Sequence, residues 1–253
     1  MAYWDDEMEV GNTGYPDMFT LDTCGGLSSG NDTVNKISGN GSLRLGYPGA
    51  QVQVCGGFAD RSFPATLDLW SRFYMRLSPG FIVDTTTTKI MLHATDSFLS
   101  NWWIMAFSSS KLVCTAQLYP PTDSTNFFCN LGTSAQQELR TSPEGGWRMV
   151  ETRERLGAAD SAEGLIEAWI GDAGGTMVKV MSHSLNNWRN TTQGSQNSKF
   201  VWNRMFRQSG EGNINYDRVA MGDARIGPIT GGLPPLPPPP PTVPTQPTGL
   251  QVT

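Results

Sequence analysis

Two antiparallel sheets stacked as a jelly-roll β-sandwich are what this 253-residue sequence predicts, on three observations. Apolar and polar residues alternate with period two in about ten short runs, the mark of half-buried antiparallel strands. Turn formers fill the intervals, with 28 Gly and 17 Pro in the chain. Charged residues make up only 16%, against ~25% in an average soluble protein, too few to lace long surface helices or a coiled coil. Helical spacing of apolar residues recurs nowhere at convincing length.

In chain order the strands are expected at SLRLGYP (42–48), DLWSRFYMRL (68–77), TKIMLHAT (88–95), NWWIMAFS (101–108) and KLVCTAQLY (111–119). NFFCNL (126–131), GWRMVETRERL (146–156), GLIEAWIGD (164–172), TMVKVMS (176–182) and NYDRVAMGDARIG (215–227) complete the set. So many short strands bury enough apolar surface only when two sheets close on one core. The sandwich is expected to occupy residues 1–229. From 230 to 253 the composition changes: this segment holds nine of the 17 prolines and no charged residue. Consecutive prolines favour extended polyproline II, a semi-rigid spacer that joins no core. The segment therefore reads as a linker or tether. Its last residues, PTGLQVT, resemble the opening strand of a fibronectin type III module.

Neighbouring side chains on a strand project to opposite faces, so parity sorts them. In 68–77, Leu69, Phe73, Met75 and Leu77 oppose Trp70, Arg72, Tyr74 and Arg76. In 88–95, Ile90, Leu92 and Ala94 oppose Lys89, Met91, His93 and Thr95. Val150, Thr152 and Leu156 oppose Glu151, Arg153 and Arg155, while Ile166, Ala168 and Ile170 oppose Glu167 and Trp169. Aliphatic side chains are thus expected inside, with aromatic, cationic and acidic ones outside. Rings such as Trp70, Trp102 and Trp169 can stack on the C–H face of a sugar, and fixed polar groups can satisfy its hydroxyls. Arg72, Arg76, Lys89, Arg153 and Arg155 add affinity for carboxylates or sulfates. The same residues also serve solubility and edge protection, a reading that parity leaves open.

The succession NGSLRLGYP, CGGFADRSFP, LWSRFYMRLSPGF, TKIMLH, GWRMVETRERL, GLIEAWIGD and NYDRVAMGDARIGP, over roughly residues 40–228, resembles the concanavalin-like jelly rolls of the polysaccharide lyases, particularly the alginate and glucuronan lyase group. Trp147, Glu151, Glu167 and Trp169, with the closing Tyr216, Asp217, Val219, Ile226, Gly227 and Pro228, carry the resemblance. It implies β-elimination on a uronate polymer. A cation or amide neutralises the carboxylate, a base removes the adjacent proton, and an acid protonates the leaving glycosidic oxygen. For that chemistry His93 is the candidate base, because it sits mid-strand on the polar face beside Lys89 and by parity can share one groove with Arg72, Tyr74 and Arg76. Tyr74 or Tyr216 is the candidate acid, and Arg72, Arg153 or Arg155 the carboxylate clamp. Several such lyases carry Gln-x-His on the catalytic strand, where this chain has Met91-Leu92-His93. A non-catalytic glycan-binding module, or a structural subunit of a surface assembly tethered by the proline-rich tail, is the alternative.

Remaining features narrow the setting. A formal charge of −5 argues against general nucleic-acid binding, which rests on phosphate neutralisation. No apolar run reaches the ~20 residues of a membrane span, and Met1 leads into acidic sequence with no signal-peptide pattern. Four cysteines suit an extracellular or cell-surface protein. A hairpin turning at Pro120-Pro121-Thr122-Asp123 sets Cys114 opposite Cys129, leaving Cys24 to pair with Cys55; buried free thiols are the alternative. Asn31, Asn40 and Asn190 begin N-x-S/T sequons. No cofactor is expected, although Asp5, Asp6 and Glu7, with Asp217 if the terminal strands pair, are candidate Ca²⁺ ligands. His183 reads as an exposed residue. Glu151 and Glu167 offer two carboxylates for a glycosidase, a weaker reading. Neither a G-x-S-x-G elbow nor a phosphate loop occurs.

Overall fold

The computed structural model describes residues 2–6, 28–81, 88–95, 101–108, 111–118, 127–130, 145–185, 189, 191, 197 and 199–229. Twelve strands and no helix occur among them. In chain order they are β1 (Ala2–Asp6), β2 (Ser28–Asp32), β3 (Ser42–Thr66), β4 (Asp68–Leu77), β5 (Thr88–Thr95) and β6 (Asn101–Ser108). Next come β7 (Lys111–Leu118), β8 (Phe127–Asn130), β9 (Trp147–Arg155), β10 (Gly164–Asp172), β11 (Val178–Leu185) and β12 (Phe200–Gly222). All pairings are antiparallel, and the fold is a jelly-roll β-sandwich.

Two long strands knit the sandwich together. The first part of β12, to Gln208, lies between β5 and the second half of β3. Its later part, from Gly210, lies between β4 and the first half of β3, with β1 beside its end. One sheet therefore runs β2-β3-β12-β4-β9-β10-β11 and the other β3-β12-β5-β6-β7-β8. The passage from one to the other coincides with register shifts at Gln208–Gly212. Gly212 has φ of 102°, and a Cβ there would come within 2.7 Å of the Ser78 hydroxyl. Only glycine fits both constraints.

Sequence expectation and structure agree closely for β4, β5, β6 and β10. Strands β3 and β12 are far longer than the expected 42–48 and 215–227, because Gly46, Pro48, Gly49, Gly210 and Gly212 interrupt the alternation without ending the strands. Strands β1 and β2 were not expected; each has only five residues, too short a run for alternation to show.

The core lies between the sheets. Leu69, Phe73, Met75 and Leu77 of β4 join Val150 of β9, Ile166, Ala168 and Ile170 of β10, and Ile214, Tyr216 and Met221 of β12. From the opposite sheet come Ile90 and Met91 of β5 and Met205 of β12. Each large apolar side chain buried here stabilises the fold by roughly 1.5–3 kcal/mol. Phe73 and Tyr216 meet edge to face at 6.2 Å, and the Tyr216 hydroxyl donates to the Ile90 carbonyl, tying the sheets together.

Candidate functional site

The outer face of β4, β9, β10 and β11 gathers most of the aromatic and cationic residues that parity assigned to it. Register sets Trp70, Arg153, Glu167 and Ser182 in one row across the four strands, and Arg72, Glu151, Trp169 and Lys179 in the next. Trp70 and Trp169 stack at 5.4 Å between centroids, with planes 21° apart. Arg153 lies over the Trp70 ring at 5.3 Å, while Lys179 and Arg225 both lie over Trp169, at 4.9 and 5.2 Å. Each is within cation–π range.

Carboxylates hold these cations in place. Asp68 accepts two hydrogen bonds from Arg153, at 2.9 and 2.7 Å, and this pairing raises the guanidinium pKa further. Glu167 accepts from Lys179 and Ser182 and stands 3.7 Å from Arg153. Glu151 is fully buried and accepts three N–H groups: Arg225 Nε at 3.1 Å, the Ile226 amide at 2.9 Å and the Gly227 amide at 2.7 Å. It thereby clamps the segment after β12 onto the sheet.

That segment, residues 225–229, covers part of the face expected to be open. Arg72 is buried beneath it, donating to the Gly227 and Arg218 carbonyls. The Arg218 carbonyl reaches Arg72 because β12 shifts register between Asp217 and Ala220, where Arg218 has φ of 48°. Tyr74 is buried with Ile37, Trp147 and Met149, and its hydroxyl accepts from the Ile229 amide. Arg76 donates to the Gly145 carbonyl, and burial lowers its pKa. Arg155 donates to the Glu163 carbonyl at the exposed margin.

The expected meeting of His93 with Tyr74, Arg72 and Arg76 in one groove is corrected by this geometry. His93 is fully buried between the sheets, with Nδ1 3.3 Å from Glu154 Oε2 and its ring edge-on to Phe200. Tyr216 also lies in the core, whereas Tyr74 and the arginines lie on the far side of β4. Parity on β5 was misleading because the strand is buried on both faces: every residue from Ile90 to Thr95 is buried. Nothing in such a strand says which set faces the other sheet. Glu154 was missed, although its parity with Val150 and Thr152 pointed it inward. Burial raises its pKa, an effect that His93 and a Thr152 hydrogen bond partly offset. Asn203, opposite His93 in register, and the Ser71–Thr152 hydroxyl pair extend this polar seam through the core.

Other expected residues have the following places. Lys89 pairs with Gln208 and Ala106, and Trp102 with Ala94 and Gln117, but their side chains lie outside the described residues. Asp217 accepts from the amides of Ile37, Ser38 and Arg218. These donors stabilise its ionised form. Strands β1 and β12 do pair, but Glu7 and the side chains of Asp5 and Asp6 lie outside the described residues. No group of three or more His, Cys, Asp or Glu suited to a metal occurs among the described residues. Register pairs Cys114 with Cys129 across β7 and β8, as the hairpin argument requires. Cys24, the side chain of Cys55, the side chain of His183, Asn190 and the proline-rich segment lie outside the described residues. Lys179 and Arg225 escaped sequence reading, Arg225 because only the Glu151 clamp brings its loop to the site.

No protein-family model and no curated protein matches the sequence. Solved structures do. An endo-β-1,4-glucuronan lyase from the fungus Trichoderma reesei matches with a TM-score of 0.62 at 12% identity, over 88% of this chain and 96% of that one. The cellulose induced protein Cip1 matches with a TM-score of 0.59 at 17% identity, over 88% of this chain and 99% of that one. A marine alginate lyase from Aplysia kurodai also reaches 0.59, at 8% identity, over 87% and 98%. The chain therefore shares the jelly-roll fold of the glucuronan and alginate lyases.

Proposed function

We propose that this protein is a lyase-like, carbohydrate-active domain that works outside the cell or at its surface on an anionic, uronate-containing polysaccharide and cleaves it by β-elimination. The observation that supports this reading is the likeness of fold to a glucuronan lyase, which extends over 88% of this chain and 96% of that one. Elimination needs a cation at the carboxylate, a base at the adjacent proton and an acid at the leaving oxygen. Arg153 and Arg155 remain candidates for the first role. The expected base is His93, with Tyr74 or Tyr216 as acid; all three are fully buried, and the experiment below puts these roles to the test. Exposed Asn31 and Asn40, and Cys114 opposite Cys129, are compatible with an extracellular setting in which those two cysteines form a disulfide.

A second reading, glycan binding without cleavage, is favoured by one specific observation. His93 and Tyr216 lie in the core while Tyr74 lies beyond the opposite face of β4. One experiment separates the two readings. Incubation with alginate, glucuronan or glycosaminoglycans is expected to yield unsaturated uronate product, detected by ultraviolet absorbance, and folded His93→Ala protein is expected to yield none. Binding without product would replace the lyase reading with the second.

A further inference from the structure

We propose that Lys179 and Arg225, both within cation–π range of the Trp169 ring, form a surface site for the anionic groups of a polysaccharide. The two cations approach the same indole, at 4.9 and 5.2 Å. Their charge partners lie beneath them. The Lys179 side chain is 47% exposed and that of Arg225 54%, against 10% for Glu167 and 0% for Glu151. An approaching polymer therefore meets ammonium and guanidinium first, and the screened carboxylates lie deeper. On a chain of net charge −5, this layering makes a local exception.

Donors remain for a ligand. The Arg225 guanidinium engages Glu151 through Nε, and its Nη1 and Nη2 make no hydrogen bond among the described residues. Lys179 carries three N–H donors, and Glu167 is its hydrogen-bond acceptor among the described residues. A carboxylate or sulfate can accept from both groups while the ring beneath fixes their positions. Little ordering is needed on binding. Glu167 positions Lys179, and Glu151 positions Arg225 by clamping residues 225–227. Such preorganisation reduces the entropy lost when the ligand docks.

The ligand class rests on the polysaccharide reading above, but the site fails or stands separately from it. Affinity electrophoresis in gels containing alginate, dextran sulfate or uncharged dextran tests it. The wild-type protein is expected to be retarded by a polyanion and not by dextran. The double variant Lys179→Gln, Arg225→Gln is expected to bind at least about tenfold more weakly, as the loss of charge-assisted hydrogen bonds implies. Lys179→Arg with Arg225→Lys should restore most of the retardation. Retardation by alginate alone identifies a carboxylate site, and retardation by dextran sulfate as well identifies a general anion site. Equal retardation of wild type and the Gln double variant, or no retardation by either polyanion, overturns the proposal. Loss of binding in the double variant without any unsaturated product from wild type leaves this site standing and overturns the lyase reading.

Discussion

Strand β9 carries two fully buried carboxylates three residues apart, and their surroundings differ completely. Glu151 faces the outer side, where two backbone amides and the Arg225 guanidinium donate to it. Glu154 faces the core, where His93 Nδ1 stands 3.3 Å from its carboxyl and burial raises its pKa. The difference shows that burial alone does not decide what a carboxylate does. Glu151 is solvated by the protein's own N–H groups and pins a segment of chain. Glu154 keeps its charge only at a cost, so the core pair is the more sensitive to any change in either partner.

Breaking the core pair should have the largest effect. His93→Ala leaves Glu154 buried without its imidazole and is expected to cost about 3–5 kcal/mol. Denaturant unfolding measures this, and a His93→Leu, Glu154→Met double variant should be far closer to wild type than the two single losses added together. Simple additivity would mean that the two residues do not act as a pair. Glu151→Ala is expected to cost somewhat less, about 2–4 kcal/mol, because the amides it releases can regain water. Each kcal/mol corresponds to about 2–4 °C in Tm for a chain of this size. Trp fluorescence should report the same substitution, since Arg225 leaves Trp169 when the clamp opens; an unchanged spectrum would place the loop's anchor elsewhere.

Acidity sharpens the contrast further. A carboxyl whose folded pKa is raised binds its proton more firmly in the folded state, so unfolding releases that proton. Its contribution to stability is full below the ordinary carboxyl value of about 4.5 and is lost as pH rises through the folded value. Glu154→Gln imitates the protonated acid at every pH. The Tm of wild type relative to Glu154→Gln should therefore fall as pH rises from about 4 towards neutrality. A difference that grows with pH would reverse the assignment. The smallest effect is expected at the margin of the same seam. Ser71→Ala removes the hydroxyl partner of Thr152 and should cost about 1 kcal/mol in denaturant unfolding.

Much of the fold was legible because alternation is a local signal. In β4 and β10, parity separated Leu69, Phe73 and Ile166 from Trp70, Arg72 and Trp169, and both sets lie where it put them. In β5 the rule had nothing to distinguish, since apolar and polar residues alike are buried there. The site was half legible for a similar reason. Trp70, Arg153 and Trp169 sit on strands whose faces could be read, so their shared surface was foreseeable. Arg225 belongs to a loop, and its position follows from hydrogen bonds to a residue 74 positions earlier in the chain. No pattern within the loop records that contact. The burial of Tyr74 and Arg72 has the same origin, because what covers them arrives from the far end of the domain.

Because β3 and β12 each contribute to both sheets, neither sheet can detach as a separate unit. Any motion that parts the layers must bend or break strands that run through both, with Gly212 as the pivot where β12 crosses over. The interior that holds His93 is therefore guarded by covalent continuity as well as by packing.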